Sequence, residues 1–249
     1  MKTQLTIIGY GTMGKAIAGA LRRRGGVKIF AAKLNTAHIR VVQEIKKSDF
    51  VLLAVKPQDS QGAITQLQGN LNKKTILISI MAGVSIKKIV AFSRHPKIVR
   101  MMPNLGLSVG AGIGAWKKVG LNKRETEKTK KFMDKIMENF EVKTEDSVDK
   151  VTAISGSGPA YFLLLAAGLA EASQKLGLGV AESRKLVAKT LTATALLGKD
   201  GDYEKLIKKI ASKGGTTEAA LKVFQKKNFS KIVNDAVGAA YKRAKQLSQ

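Results

Sequence analysis

The chain has 249 residues, 44% of them apolar, enough to bury one large core or two modest ones and too many for a disordered chain. It has no cysteine, which excludes disulfides and thiolate chemistry, and His38 and His95 stand far apart without acidic partners, so no protein-built metal site is expected. Lys and Arg outnumber Asp and Glu by 44 to 18, a formal charge of +26 that suits anionic ligands.

The cations are spread through helical stretches as singles, pairs and triplets, and aromatic residues make up only 5% of the chain. The excess therefore reads as a solvated basic surface rather than a nucleic-acid face. The opening "MKTQLTIIGYG" is too short an apolar run for a signal peptide, and no apolar run of about 18 residues occurs. The expected location is the cytoplasm, with no membrane segment.

Residues 4–8, "QLTII", read as a buried strand. "GYGTMG" follows, and from Gly14 to about Arg24 the apolar positions Met13, Ile17, Ala20 and Leu21 recur at helical spacing. A second strand, "VKIFAA" at 27–32, completes the opening βαβ unit of a Rossmann-like sheet. In such a unit Gly9 permits the tight turn, Gly11 the approach of a pyrophosphate, and Gly14 the packing of helix on sheet. The pyrophosphate is expected on the helix start around Thr12 and Met13.

An acid that grips a ribose hydroxyl is expected about 20 residues further on. This chain has "AAKLNT" there. Lys33 suits a 2′-phosphate, and Asn35 and Thr36 offer hydrogen bonds, so NADPH is favoured over NADH. The alternative is that Lys33 is one more exposed lysine of a basic chain.

Further strands are expected at 49–55, 75–80, 97–102 and 112–116, with "VSIKKIVAFS" as a helix between them. Residues 122–139 are expected to form a helix with Phe132, Ile136 and Met137 on its apolar face, and "FEVKT" a last strand. "AVKPQ" (54–58), "MAGVS" (81–85) and "MMPNLG" (101–106) each follow a strand, at the sheet edge where parallel α/β proteins bind ligands. Lys56 is either a site cation or a capping residue, and Asn104 is a candidate amide for cofactor or substrate.

Glu145 to Asp149 reads as a domain boundary, giving a Rossmann-like domain at 1–147 and a helical domain at 148–249. "AISGSGPAY" then reads as flexible backbone feeding an apolar helix, able to hold an anion or admit a close neighbour. Helices follow near 181–197, 203–211 and 229–247, the last with Tyr241, Ala244 and Leu247 in its apolar register. Such broad apolar faces point to burial against a second copy of the chain, a self-sufficient bundle being the alternative.

"ASKGGTTEAAL" at 211–221 leads a glycine pair into a helix, with Thr216 or Thr217 expected as N-cap. Hydroxyls and amides at such a start suit a carboxylate.

Taken together, "GYGTMG", "AVKPQ", "MAGVS", "MPN", "DKVTAISGSGPAYFLLLAAGLAEA" and "KGGTTEAALKVF" resemble the pyrroline-5-carboxylate reductase family almost end to end. The resemblance implies an N-terminal NAD(P)H-binding domain, a helical domain that interlocks in a homodimer, and in some members a higher assembly of dimers. It implies reduction of a cyclic imino acid, 1-pyrroline-5-carboxylate, to L-proline in proline biosynthesis, the alternatives being a reductase of another cyclic imino acid or a non-catalytic nucleotide- or nucleic-acid-binding homologue. By the same resemblance the nicotinamide lies against Ala54, Val55, Lys56, Pro57, Ala82, Gly83 and Asn104. The substrate carboxylate lies in the loop of Ser212, Gly214, Gly215, Thr216 and Thr217, with Thr217 near the ring nitrogen as hydrogen-bond partner or proton donor.

Three departures stand out. Lys213 occupies a position where the family commonly has proline, and "NLG" replaces the usual "NTP". Only 16 residues separate Ala32 from Asp49, too few for the usual helix, strand and helix. The adenosine side of the pocket is therefore expected to be rebuilt or partly open.

Overall fold

The structure, a computed structural model, describes residues 2–33 and 39–248. The chain divides into two compact units, one of residues 1–159 with 238–249 and the other of residues 160–237.

The first unit opens with β1 (Thr3–Ile8), α1 (Thr12–Arg24) and β2 (Val27–Ala32), as the sequence pattern predicts. There follow α2 (Ile39–Lys47), β3 (Phe50–Leu53), α3 (Ser60–Thr65), β4 (Ile76–Ser79), α4 (Ile86–Ser93), β5 (Ile98–Pro103) and β6 (Ile113–Val119). The unit's sheet is completed by α5 (Lys123–Met133) and β7 (Glu138–Glu141). The strands run in the order β2-β1-β3-β4-β5-β6-β7, parallel except where β6 opposes β5.

Every residue of β3 and β4 is buried, which is why "FVLL" and the "ILI" of "ILIS" run apolar without alternation. One apolar layer joins Leu5, Ile7, Ile17, Leu52, Trp116 and Phe132; the other face of the sheet carries Ile8, Val51, Ile64, Leu77 and Ile89. α5 ends at Met133, earlier than the helix expected over 122–139. Its start is fixed by a reciprocal cap between Asn122 and Glu125, and β7 begins at Glu138, ahead of the expected "FEVKT".

The short segment after β2 has a clear structural result. α2 returns the chain to the opposite side of β1, where β3 pairs. Among the described residues, β2 has a strand neighbour on one side only.

The stretch expected to be a boundary, Glu145 to Asp149, is helical. It forms α6 (Glu145–Val151), continues as a π-helical turn (Thr152–Gly156) and enters α7 (Gly158–Lys175). The glycines and serines of "SGSG" are therefore part of a helical rod and not a loop. The wider turn admits one extra residue without ending the helix. α6 is retained on the sheet by Arg100 of β5, whose guanidinium is 2% exposed and pairs with Asp149 and, at 2.9 Å, with Glu145. The two compact units part at 159/160, with residues 238–249 returning to the first.

The second unit contains the rest of α7 and then α8 (Val180–Leu197), α9 (Tyr203–Ile210), α10 (Thr216–Lys226) and the start of α11 (Phe229–Ser248). Within residues 160–237 only Ser183 is buried, donor and acceptor geometry placing its hydroxyl 2.9 Å from that of Ser173. Phe162, Leu163, Leu164, Leu186, Leu196 and Ile232 are exposed.

Candidate active site

β1 to β5 are parallel, so the segments following them meet at one edge of the sheet. β1 lies between β2 and β3, and the chain leaves it to opposite sides. That is the topological switch point at which an open α/β sheet offers a crevice.

The glycines at this crevice serve different ends. Gly9 has φ +95°, and a Cβ on it would lie 2.5 Å from the Ala54 carbonyl oxygen, so the loop after β1 abuts the loop after β3. A Cβ on Gly14, which is buried, would overlap the Gly9 carbonyl oxygen. Gly11 is different: nothing lies within 4 Å of where its Cβ would be. It is also the N-cap of α1, without a side-chain cap. Gly11 and Thr12 are exposed, whereas Met13 is half-buried against the core. The helix start thus offers uncapped amides beside open space, a donor set that fits a pyrophosphate.

Lys33 follows β2 directly and is exposed, while Asn35 and Thr36 lie outside the described residues. Ala54 and Val55 are half-buried beyond β3, and the Ala54 amide donates to the Ile8 carbonyl at 2.8 Å. Lys56 is exposed at the N-cap of the short 3-10 turn Pro57–Asp59, with Pro57 in its first turn, and its side chain makes no capping bond. Asn104 closes the β5–β6 turn: its Oδ1 accepts from the Ile113 amide at 3.3 Å.

Ala82 and Gly83 form the turn after β4. Gly83 has φ +72°, and a Cβ there would overlap Leu247 and lie 3.0 Å from the Ala244 carbonyl oxygen. Sequence reasoning missed this contact. It had placed Tyr241, Ala244 and Leu247 in an apolar helical register, but the register alone does not say what the face meets.

The second unit holds the loop before α10. Here the N-cap is Gly215, not Thr216 or Thr217, because Gly215 is the last extended residue and both threonines are already helical; no side-chain cap is made. Glu218 closes the start instead, its Oε2 accepting from the Gly214 amide at 2.8 Å. Gly214 has φ +74°, and a Cβ on Gly215 would lie 2.6 Å from the Ser212 hydroxyl. Ser212 and Thr216 are exposed and Thr217 is half-exposed, so neither threonine hydroxyl serves as the helix cap.

His95 is buried and works internally. Its Nε2 donates to the Thr75 carbonyl at 2.8 Å. Burial, joined by the charge of Lys97 and opposed by that hydrogen bond, holds its pKa below the usual histidine value.

A sheet of this order with glycines so placed defines an open, doubly wound dinucleotide-binding fold. The chain is 34% identical over 273 aligned positions to the pyrroline-5-carboxylate reductase of Synechocystis, with both chains covered completely. It belongs to the pyrroline-5-carboxylate reductase family. The Pseudomonas aeruginosa enzyme of the same name is 29% identical, covering 99% of this chain and 97% of its own. The family profile "Pyrroline-5-carboxylate reductase dimerisation" matches residues 145–247, and "NADP oxidoreductase coenzyme F420-dependent" matches residues 4–83.

Solved structures agree. The Plasmodium falciparum pyrroline carboxylate reductase with NADP bound superposes with a TM-score of 0.88 at 29% identity, covering 99% of this chain and 98% of its own. The Coxiella burnetii pyrroline-5-carboxylate reductase gives 0.86 at 29% identity, with both chains covered completely.

Proposed function

We propose that the chain reduces 1-pyrroline-5-carboxylate to L-proline with NAD(P)H, as the last step of proline biosynthesis. The observation that carries this reading is the full-length likeness to the Synechocystis reductase, joined to a glycine-shaped crevice whose donors suit a dinucleotide.

When bound, the reduced nicotinamide supplies a hydride for the imine carbon. The protein's own work is to bind, orient and move a proton. In this reading Gly9, Gly11, Thr12, Met13 and Gly14 hold the pyrophosphate, and Ala54, Val55, Lys56, Pro57, Ala82, Gly83 and Asn104 border the nicotinamide end. Lys33 faces the adenosine ribose, where a cation favours the 2′-phosphate and hence NADPH.

The amides at the start of α10, with Ser212, Gly214, Gly215 and Thr216, receive the substrate carboxylate. The Thr217 hydroxyl is assigned to the ring nitrogen as hydrogen-bond partner or proton donor: the nitrogen gains one proton for the one hydride gained by the carbon, and a proton given up by the hydroxyl is replaced from solvent.

The exposed apolar residues of α7, α8 and α11 are assigned to a homodimer, in keeping with the dimerisation profile that covers them. The continuous rod Glu145–Lys175 is long and apolar enough to cross a bilayer, but the dimerisation profile spans it, and we read its face as a protein interface. The location proposed is the cytoplasm.

The test is substrate-dependent loss of reduced-nicotinamide absorbance, run in parallel with NADPH and NADH. Rapid oxidation supports the reaction, and a Lys33→Glu variant that loses NADPH preference supports the ribose assignment. Thr217→Ala is expected to lower kcat about 100-fold with its melting temperature unchanged. Folded, dimeric protein that oxidises neither cofactor would overturn the reading.

A further inference from the structure

We infer that the C-terminal end of α11, through Ala244 and Leu247, is the rear support of the turn after β4 and a positioning element for cofactor binding. The inference rests on the reading of Ala82 and Gly83 as part of the cofactor crevice.

The contact is intimate. Gly83 leaves no room for a side chain because Leu247 and the Ala244 carbonyl occupy the space a Cβ would need, and Ala244 itself is buried. Helical spacing makes Ala244 and Leu247, three residues apart, neighbours on the side that meets Gly83, while Tyr241, Ala244 and Lys245 adjoin one another a turn earlier.

That end of the helix is also tied down. Oδ1 of Asp146, on α6, accepts from the Tyr241 hydroxyl at 2.6 Å and from Lys245 at 2.9 Å, while Lys150 pairs with its Oδ2 at 2.9 Å. These donors, the tyrosine foremost, hold the Asp146 carboxyl well below the usual carboxylate range, so it stays charged throughout the working pH range. α6 is in turn fixed to the start of α4, just beyond the turn, where Glu145 accepts from the Ile86 amide at 2.7 Å.

The turn after β4 is thus gripped on two sides. At its far end α4 is pinned by Glu145, and at Gly83 it rests on a helix end pinned by Asp146. A loop held in this way presents a fixed edge to a ligand, and loosening its support weakens binding without altering the chemistry.

The experiment uses the full chain and measures NADPH and NADH binding directly together with steady-state kinetics. Leu247→Ala and, separately, Tyr241→Phe are expected to raise the cofactor Kd and KM about 5- to 10-fold. The kcat at saturating cofactor and the KM for the imine should stay within about 2-fold. Leu247→Met should restore most of the affinity. Equal cofactor affinity in wild type and variants would overturn the inference, as would a parallel loss of kcat, both KM values and melting temperature. Failure of the wild-type protein to bind either nucleotide would instead overturn the cofactor reading on which the inference stands.

Discussion

The two units of this chain solve the problem of burial in opposite ways. The first wraps seven strands between helical layers and encloses side chains as large as Trp116, Phe50 and Leu52 almost completely. The second presents five helical segments with just Ser183 buried, while Phe162, Leu164 and Ile232 face outward. Apolar area removed from water stabilises at about 25 cal/mol per Å². The first unit therefore has its folding energy in hand, and the second must obtain most of it from another surface. The difference teaches where to look for concentration dependence: in residues 160–237 and not in the sheet.

The largest expected effect breaks the first unit from inside. Arg100→Met leaves Asp149, itself buried, without its partner, and loss of one member of a buried pair costs about 3–5 kcal/mol. Urea denaturation should show that loss in the sheet's transition at any protein concentration. A cost under 1 kcal/mol would mean that α6 is held by packing alone.

Next in size is a change that separates the two halves of the comparison. Leu164→Glu places a charge on an exposed face of α7, where the chain by itself tolerates it. In the proposed dimer it should weaken association about 30-fold, or about 2 kcal/mol, by sedimentation equilibrium. The first unit's denaturation midpoint should not move. Unchanged association would place the dimer contact elsewhere.

The smallest effect sharpens the picture of the first unit. Burial lowers the folded-state pKa of His95 below its unfolded value, so the folded protein binds that proton less readily. The contribution is fully present above about pH 6.5 and is lost as pH falls from there through the folded pKa. His95→Gln should flatten stability against pH in that window, read from urea midpoints. A variant that retains the wild-type slope would assign it to another group.

What the sequence disclosed follows the same division. β3 and most of β4 were legible because strands buried on both faces are nearly continuous apolar runs, β1 because its apolar end leads straight into glycine, and the glycine turn was legible from Gly9, Gly11 and Gly14 between a strand and a helix. The helices of the second unit were legible by period, and their outward apolar faces by breadth. The "SGSG" stretch was misread because glycine and serine signal a turn, whereas a π-helical turn tolerates them within a continuous rod. That Glu145 to Asp149, expected as a domain boundary, is a helix fastened to the sheet was not legible, because the partner that buries Asp149, Arg100, lies 49 positions away.

Thr216 and Thr217 were expected to cap α10 by residue type, yet the extended backbone of Gly215 sets the boundary one step earlier. The seating of Gly83 against Leu247 left no local mark at all, since the two residues meet only through the fold. Long-range pairings of this kind were the illegible part of both fold and site.

That β2, among the described residues, has a strand neighbour on one side only carries a practical consequence. A strand with a free side is a template on which another chain can add hydrogen bonds, and proteins guard such edges chiefly with charge. Here the guard is Lys28 within the strand, Lys33 just past it and the overall charge of +26. Repulsion of that sort has a range of only about 8 Å at physiological ionic strength and about 3 Å in molar salt. The colloidal stability of concentrated preparations is therefore expected to depend on salt more steeply than the stability of the fold itself.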